Sequence, residues 1–166
     1  MTRFYSEALG KHDRTAYASG NDRIDAYFRT VVSQDVKRNY AHCYVLVEKE
    51  TKRLAGFYSL SAPDIPLTDM PSDLARKLPR CPSVPAVLIG WLVRDIGFRG
   101  QEVGAMLLRD AIVRVSASQI GVYALCADAI DEAAAAFYRR YLFTPFESRP
   151  RSLFLPLATA LKTIAG

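Results

Sequence analysis

The chain has 166 residues, 50% of them hydrophobic, and carries a formal net charge of +5. This length fits one domain over residues 1–166 with a substantial core, and the hydrophobic content excludes an intrinsically disordered chain. The apolar runs are too short to span a bilayer and no secretory start is visible, so we expect a soluble, cytoplasmic protein without membrane contact.

The first half of the sequence predicts a helix followed by a β-hairpin. Hydrophobic residues recur at helical spacing within Asn21–Asn39, and Asp22 is the expected N-cap of this helix. Two hydrophobic runs, Ala41–Glu48 and Leu54–Ala62, flank a polar turn and predict the paired strands of a hairpin.

A proline-rich connection, Pro63–Pro85, separates the two halves of the chain. A short helix, Ser72–Leu78, fits inside it, and connections of this length usually carry function. The connection also contains Asp64, Asp69 and Asp73, which are the residues that an acceptor site for a cationic amine requires.

The second half predicts alternating strands and helices, with Asp131 as the cap of one helix. This order indicates an α/β or mixed α+β domain. The predicted elements are strand Val84–Asp95, helix Gln101–Ser118, strand Val122–Ala127, helix Glu132–Arg140, strands Phe143–Phe146 and Ser152–Pro156, and helix Leu157–Ile164.

The cysteines Cys43, Cys81 and Cys126 are isolated from one another along the chain. Their spacing fits neither a metal centre nor a disulfide framework, so we predict no metal site. We interpret them as small hydrophobic residues of the core.

The strongest functional pattern follows the long strand. Ile89–Asp95 leads into Arg99-Gly100-Gln101-Glu102-Val103-Gly104-Ala105, which predicts a glycine-containing turn and the start of a helix. The first turn of a helix exposes unpaired N–H groups at the positive end of the helix dipole. We therefore expect an anion site that suits a pyrophosphate.

This order of elements resembles the GNAT fold of acyl-CoA-dependent N-acetyltransferases. In that family the turn has the form Arg/Gln-x-x-Gly-x-Gly/Ala and holds the pyrophosphate of coenzyme A. Arg99 matches its first position and Gly104 its last, whereas Glu102 replaces the middle glycine. The resemblance implies a single domain with a central mixed, mostly antiparallel sheet flanked by helices, and acetyl-CoA as the cofactor.

Several short sequence segments resemble, more specifically, those of the GNAT toxins of toxin–antitoxin systems. Family membership implies acetylation of the amino group of aminoacyl-tRNA, which stops translation, and neutralisation by a small DNA-binding antitoxin, commonly of the ribbon-helix-helix type. Members of the family often form homodimers, so the resemblance also implies a possible homodimer for this chain. These segments are Ser19–Phe28, Ser33–Arg38, Gly56–Ser61, Ala127–Ala129 and Phe137–Tyr138.

The resemblance assigns a cofactor-binding role to the strand and turn, and a catalytic role to Tyr138. We expect Ala134, Phe137 and Tyr141 to face the core, which leaves the Tyr138 hydroxyl free to protonate the departing thiolate. The expected cofactor-binding residues are Leu92 and Val93 for the pantetheine arm, and Arg99, Gly100, Gln101, Val103, Gly104 and Ala105 for the pyrophosphate.

Clustered basic residues are candidates for contact with the phosphates of tRNA, which give affinity without reading sequence. Two other functions stay open: acetylation of a small amine or peptide, and a catalytically impaired GNAT-fold binding module, which Glu102 supports. The candidate basic residues are Arg76, Lys77, Arg80, Arg94, Arg139 and Arg140.

Overall fold

The computed structural model describes residues 3–66, 71–76 and 83–165. The strands are Phe4–Ala8 (β1), His42–Glu48 (β2), Leu54–Ser61 (β3), Asp64–Pro66 (β4), Ser83–Arg94 (β5), Ala124–Asp128 (β6), Thr144–Pro145 (β7) and Ser152–Pro156 (β8). The α-helices are Asp22–Ala26 (α1), Val32–Lys37 (α2), Ser72–Ala75 (α3), Val103–Ala117 (α4), Glu132–Arg140 (α5) and Leu157–Ala165 (α6). A π-helical turn, Tyr27–Val31, joins α1 to α2, and a 3₁₀ turn, Ile96–Phe98, follows β5.

The chain divides into two compact units, residues 1–61 with 90–111 and residues 62–89 with 112–166. Strand β5 and helix α4 each contribute residues to both units. A single domain over residues 1–166 stays a prediction. No helix in the described part of the chain has the length and apolar character needed to cross a bilayer.

The first unit is built on β1, β2 and β3, which pair antiparallel in that order, and β3 neighbours β5. Successive residues of a strand face opposite sides of the sheet, so Phe57 and Tyr58 of β3 enter different hydrophobic clusters. Phe57 stacks on Phe28 at 4.0 Å between ring centroids, and Tyr58 stacks on Tyr44 at 5.3 Å. Helices therefore cover an apolar surface on each side of these strands.

The second unit has the strand order β5-β6-β8-β7, with β4 also paired to β5. The β5–β6 pair is parallel, and the β4–β5, β6–β8 and β7–β8 pairs are antiparallel. The mixed, mostly antiparallel sheet with flanking helices confirms the predicted fold class. The core of this unit contains Val84, Ala86, Ala124, Cys126, Phe146 and Phe154.

Strands β1 and β4 were not predicted from the sequence. In β1 the exposure increases along the strand instead of alternating, so it lacks the period of two that marks a half-buried strand. Strand β4 lies in the proline-rich connection and ends on Pro66, a residue type that favours edges and strand ends.

The helix predicted over Asn21–Asn39 is interrupted by the π-helical turn. The guanidinium of Arg14 donates a hydrogen bond of 2.6 Å to the Phe28 carbonyl oxygen. The Val32 N–H bonds instead to the Tyr27 carbonyl, one residue further back than in an α-helix. Because Arg14 satisfies the Phe28 carbonyl, this extra residue leaves no buried acceptor without a partner.

The N-cap of α1 is Asn21, so the prediction of Asp22 was wrong. The Asn21 side-chain oxygen accepts hydrogen bonds from the N–H groups of Arg23 and Ile24, at 3.0 and 3.3 Å. Asp22 is the first helical residue, where its carboxylate interacts with the helix dipole but does not cap the chain.

We expect Asn21→Ala to lower the free energy of unfolding by about 1 kcal/mol, as the loss of an N-cap does. Asp22→Ala is the matched control, and we expect a smaller loss from it because it removes only a dipole interaction. Urea denaturation measures both variants. A larger loss for Asp22→Ala would contradict the assignment of the cap.

Candidate active site

The turn between β5 and α4 contains two residues in the left-handed region of backbone space. Gly100 has φ +74° and Glu102 has φ +57°. Glycine adopts this conformation freely, whereas a residue with a β-carbon pays roughly 1–2 kcal/mol. The position at which the GNAT motif has its middle glycine therefore does have a glycine-like conformation, and Glu102 occupies it under strain.

Helix α4 begins at Val103, so the predicted start at Gln101 was wrong by two residues. The left-handed backbone of Glu102 cannot belong to a right-handed helix. The helical bonding starts when the Met106 N–H bonds to the Glu102 carbonyl at 3.1 Å.

The first turn of α4 presents three backbone N–H groups without intrahelical partners, those of Val103, Gly104 and Ala105. None of the three has a hydrogen-bond acceptor among the described residues. They stand at the positive end of the dipole of a 15-residue helix. This arrangement can bind the oxygens of a pyrophosphate.

Side-chain hydroxyl groups form hydrogen bonds with backbone groups of β5 on the side of the strand that faces β3. The Ser59 hydroxyl oxygen accepts a hydrogen bond from the Trp91 N–H at 3.1 Å, and the Tyr17 hydroxyl donates to the Val93 carbonyl at 2.8 Å. The Asp95 N–H bonds to the Ala55 carbonyl of β3 at 2.8 Å. Burial, and then the negative charge of Asp95, raise the pKa of Tyr17 well above its usual value, so its hydroxyl stays a donor.

The backbone of Leu92 points to the other side of β5, because neighbouring residues of a strand direct their N–H and C=O groups in opposite directions. The parallel pairing of β5 with β6 covers Ala86–Ile89 and does not extend to Leu92. The Leu92 N–H and C=O are thus suited to a pantetheine arm. Val93 has its carbonyl bonded to Tyr17, so a cofactor contact by Val93 would use its side chain.

The loop after β5 is fixed by the buried carboxylate of Asp95. Its oxygens accept hydrogen bonds from the N–H groups of Ala18, at 3.0 Å, and Gly97, at 2.7 Å. Arg53 lies 3.7 Å from the same carboxylate. Tyr17, Ser59 and Asp95 were missed in the sequence, since each of them has a backbone partner far away in the chain.

Tyr138 lies on α5 in the second unit and is 5% exposed. The prediction that Ala134, Phe137 and Tyr141 face the core was wrong, because Ala135 and Tyr138 form the buried face. After α5 the chain reverses at Leu142, whose φ is +74°. This reversal brings the Phe143 ring to 5.1 Å from the Tyr138 ring, which buries Tyr138.

The hydroxyl of Tyr138 makes no hydrogen bond within the described part of the chain. Every fully buried side-chain oxygen or nitrogen there has a partner, so this hydroxyl is not fully enclosed although the residue is buried. Burial, followed by the charge of Asp128, raises the pKa of Tyr138 well above its usual value. The phenol is therefore protonated at neutral pH and can act as a proton donor.

The basic candidates differ in how free their charges are. Arg139 forms a 2.6 Å ion pair with Glu132. Arg140 lies over the Tyr141 ring at 5.6 Å. Arg76 and Arg94 are exposed, in different units, whereas the predicted residues Lys77 and Arg80 lie outside the described residues.

Metal-binding side chains do not gather in the described residues, which contain no group of three or more His, Cys, Asp and Glu that could hold an ion. Cys43 and Cys126 are buried free thiols, and burial raises the pKa of each to about 12. They are therefore inert core residues, as predicted for them. Cys81 lies outside the described residues.

Two known proteins are similar to the chain over most of its length. The first, named "Probable toxin TacT", from Sinorhizobium fredii, is 32% identical over 165 residues, which cover 94% of this chain and 91% of the relative. The chain belongs to the GNAT toxin family. A tRNA-acetylating toxin of Mycobacterium tuberculosis is 31% identical over 150 residues, 89% of this chain and 88% of the relative. No protein-family model matches.

Solved structures of GNAT toxins have the same fold. The toxin AtaT complexed with acetyl-methionyl-tRNAfMet superposes with a TM-score of 0.88 at 23% identity, and the match covers 98% of this chain and 99% of AtaT. A Tyr-to-Phe mutant of AtaT, bound to the C-terminus of the antitoxin AtaR and to acetyl-CoA, superposes with a TM-score of 0.83 at 22% identity. That match covers 99% of this GNAT toxin and 100% of the other chain. The fold and the family that the sequence resembled are thus confirmed.

We expect Glu102→Gly to tighten the binding of acetyl-CoA, because it removes both a strained β-carbon and a negative charge beside the anion-binding amides. Glu102→Gln is the control that removes the charge but keeps the β-carbon. Isothermal titration calorimetry gives the two affinities.

Thermal denaturation separates the two causes in this prediction. Glu102→Gly should be more stable than Glu102→Ala by about 1 kcal/mol, since alanine keeps the left-handed strain. If Glu102→Gly binds acetyl-CoA as strongly as the wild type or more weakly, the hypothesis that Glu102 weakens cofactor binding is refuted.

Proposed function

We propose that this GNAT toxin is an acetyl-CoA-dependent N-acetyltransferase that acetylates the α-amino group of an aminoacyl-tRNA and thereby blocks translation. The observation that carries the proposal is the similarity to a tRNA-acetylating toxin over about nine-tenths of both chains. Translation takes place in the cytoplasm, so we place the activity there.

The residues of the first unit fit the cofactor. The amides of Val103, Gly104 and Ala105 would hold the pyrophosphate, with Gly100 and Gln101 forming the turn below it. The exposed Arg99 would add a positive charge beside the phosphates. The backbone of Leu92 would bind the pantetheine arm by hydrogen bonds, and the adjacent Val93 would contact it through its side chain.

When bound, acetyl-CoA supplies the acetyl group as a thioester. The amine nitrogen of the acceptor forms a bond to the acetyl carbon, and the carbon–sulfur bond breaks. We propose that the Tyr138 hydroxyl gives a proton to the departing sulfur, because its raised pKa keeps it protonated throughout the physiological range. The amine loses its proton to water, and water returns a proton to the Tyr138 phenolate, which restores the hydroxyl for the next turnover.

An α-amino group suits this site better than a lysine side chain. Its pKa is about 7.7–8.0, against about 10.4 for lysine, so much of it is already neutral at cellular pH. Neither histidine matches a catalytic position of the family: His42 is exposed, and His12 bonds to Glu7 at 2.7 Å. An acceptor that needs no strong base is consistent with this residue set.

The acceptor class is tested with radiolabelled acetyl-CoA offered together with charged tRNA, polyamines and peptides. Label on aminoacyl-tRNA supports the proposal. Label confined to polyamine or peptide would establish the small-amine alternative, and the absence of label and of acetyl-CoA binding would establish a binding module.

We further propose that the partners include an antitoxin of the ribbon-helix-helix type and a second copy of the chain. A solved complex of AtaT with the C-terminus of AtaR supports an antitoxin partner, and the ribbon-helix-helix type is what the family resemblance implies. Helix α6 exposes the apolar side chain of Leu161, which is consistent with the second. Light scattering of the purified protein, alone and with its antitoxin, measures both assemblies.

We expect Tyr138→Phe to retain the fold and the affinity for acetyl-CoA but to lose 10²–10⁴-fold in kcat, as the loss of a general acid does. The matched control is Tyr141→Phe on the same helix, which should keep its activity. The activity of each variant is measured as acetyl transfer to charged tRNA. Circular dichroism tests whether each variant is folded. Unchanged turnover in Tyr138→Phe would remove this residue from its role.

We expect salt to weaken the use of tRNA more than the use of acetyl-CoA, because a tRNA surface neutralises many phosphates. Arg140→Ala should reduce the salt slope of log KM for tRNA by about one unit. Arg139→Ala should change it less, because Glu132 already neutralises Arg139. Equal slopes for both variants and the wild type would contradict a phosphate contact by Arg140.

A further inference from the structure

The anion-binding turn, residues 99–102, holds one residue, Glu102, in a backbone conformation that its side chain disfavours. Gly100 and Glu102 are both left-handed, with Gln101 between them. The β-carbon of Glu102 makes this left-handed conformation strained. Strained residues of this kind persist only where surrounding contacts hold them in place.

The side chain of Arg3 supplies such a contact. Its Nη1 donates a hydrogen bond of 2.5 Å to the side-chain oxygen of Gln101, the residue between the two left-handed positions. The partners are 98 positions apart in the sequence, so the bond ties the turn to the beginning of strand β1.

Arg3 is itself held by a buried carboxylate. Its Nε donates to Glu48 Oε2 at 2.5 Å, and its Nη2 forms an ion pair with the same oxygen. Glu48 is 6% exposed. A hydrogen bond from the Thr51 hydroxyl, and in addition the Arg3 guanidinium, lower the pKa of Glu48, which is therefore ionised at neutral pH.

Two aromatic rings complete the setting of the guanidinium. The Arg3 Cζ lies 5.1 Å from the centre of the Phe4 ring and 5.9 Å from that of Phe98. Phe98 is 1% exposed and directly precedes the turn. Although the Arg3 side chain is 54% exposed, a carboxylate, an amide oxygen and two rings fix its position.

We propose that Arg3 is a positioning residue for the cofactor. Through Gln101, Arg3 keeps the anion-binding turn in the left-handed conformation that leaves the amides of Val103, Gly104 and Ala105 pointing towards a pyrophosphate. This role rests on the proposed function, since it assumes that acetyl-CoA is the donor. It predicts an effect on cofactor affinity and none on the acetyl-transfer step.

The test begins with Arg3→Met, which keeps an unbranched apolar stem against Phe4 and Phe98 but removes the guanidinium. We expect the Kd for acetyl-CoA, measured by calorimetry, to rise about tenfold, the effect of one hydrogen bond to a charged group. The kcat at saturating acetyl-CoA should stay within about twofold of the wild type. Lys52→Met is the control, because it removes an exposed positive charge of the same unit that does not contact the turn.

Gln101→Met removes the acceptor of the bond and leaves the ion pair between Arg3 and Glu48 intact. We expect the same rise in Kd as for Arg3→Met, and no further rise in the double variant, because both remove one interaction. This second variant also keeps the proposal testable if Arg3→Met fails to fold.

Glycine rescue distinguishes positioning from direct contact. In a Glu102→Gly background the turn needs no external restraint, so Arg3→Met should then change the Kd by less than about twofold. The same tenfold loss in both backgrounds would show that Arg3 contacts the phosphates itself and would overturn the positioning role. Wild-type affinity in both Arg3→Met and Gln101→Met would also overturn it. A wild-type protein that fails to bind acetyl-CoA would reject the proposed function instead.

Discussion

The proposed binding of acetyl-CoA depends on three backbone amides at the beginning of α4 that have no partner in the helix. Their position is set by close packing in the first unit. A β-carbon on Gly56 would lie 2.8 Å from the Leu107 side chain and 2.9 Å from the Val93 carbonyl. Only glycine lets strand β3 approach both α4 and β5 so closely, and this approach fixes the distance of the helix from the two strands.

Strand β5 is also held in a fixed position, in this case by side-chain hydrogen bonds. On the side of β3, hydroxyl groups of Ser59 and Tyr17 bond to backbone groups of β5. These side-chain bonds add to the pairing of β3 with β5 in holding the strand in place. The backbone of Leu92, on the other side, is consequently presented in a fixed orientation, which reduces the conformational entropy that the strand would lose on binding a ligand.

Much of the fold and part of the site could be predicted from the sequence, since both depend on local patterns. The run from Ile89 to Ala105 predicts a strand, a turn and a helix because its periodicity changes where its glycines occur. The cap at Asp131 was also predicted correctly, and its side chain accepts a hydrogen bond from the Ala134 N–H at 2.8 Å. The buried face of α5 was not, because Leu142 determines it by reversing the chain.

The features that could not be predicted depend on hydrogen bonds between residues far apart in the sequence. Arg3, Tyr17 and Ser59 have partners between 32 and 98 positions away, and a single sequence contains no signal for such pairs. The prediction of roles for Tyr138 and the turn residues came from the resemblance to the family, because hydropathy alone does not distinguish them from other tyrosines and glycines.

The π-helical turn between α1 and α2 has a consequence for side-chain alignment. In an uninterrupted α-helix, residues eight apart differ by about 80° in direction, since each residue turns the chain by about 100°. One inserted residue makes the pair equivalent to residues seven apart, only about 20° from alignment. The hydroxyl of Tyr27 thereby donates to Asp35 at 2.7 Å, and its ring packs on Trp91 at 5.0 Å. Without the π-helical turn, the Asp35 side chain would point about 80° away from that of Tyr27, and their hydrogen bond would be lost.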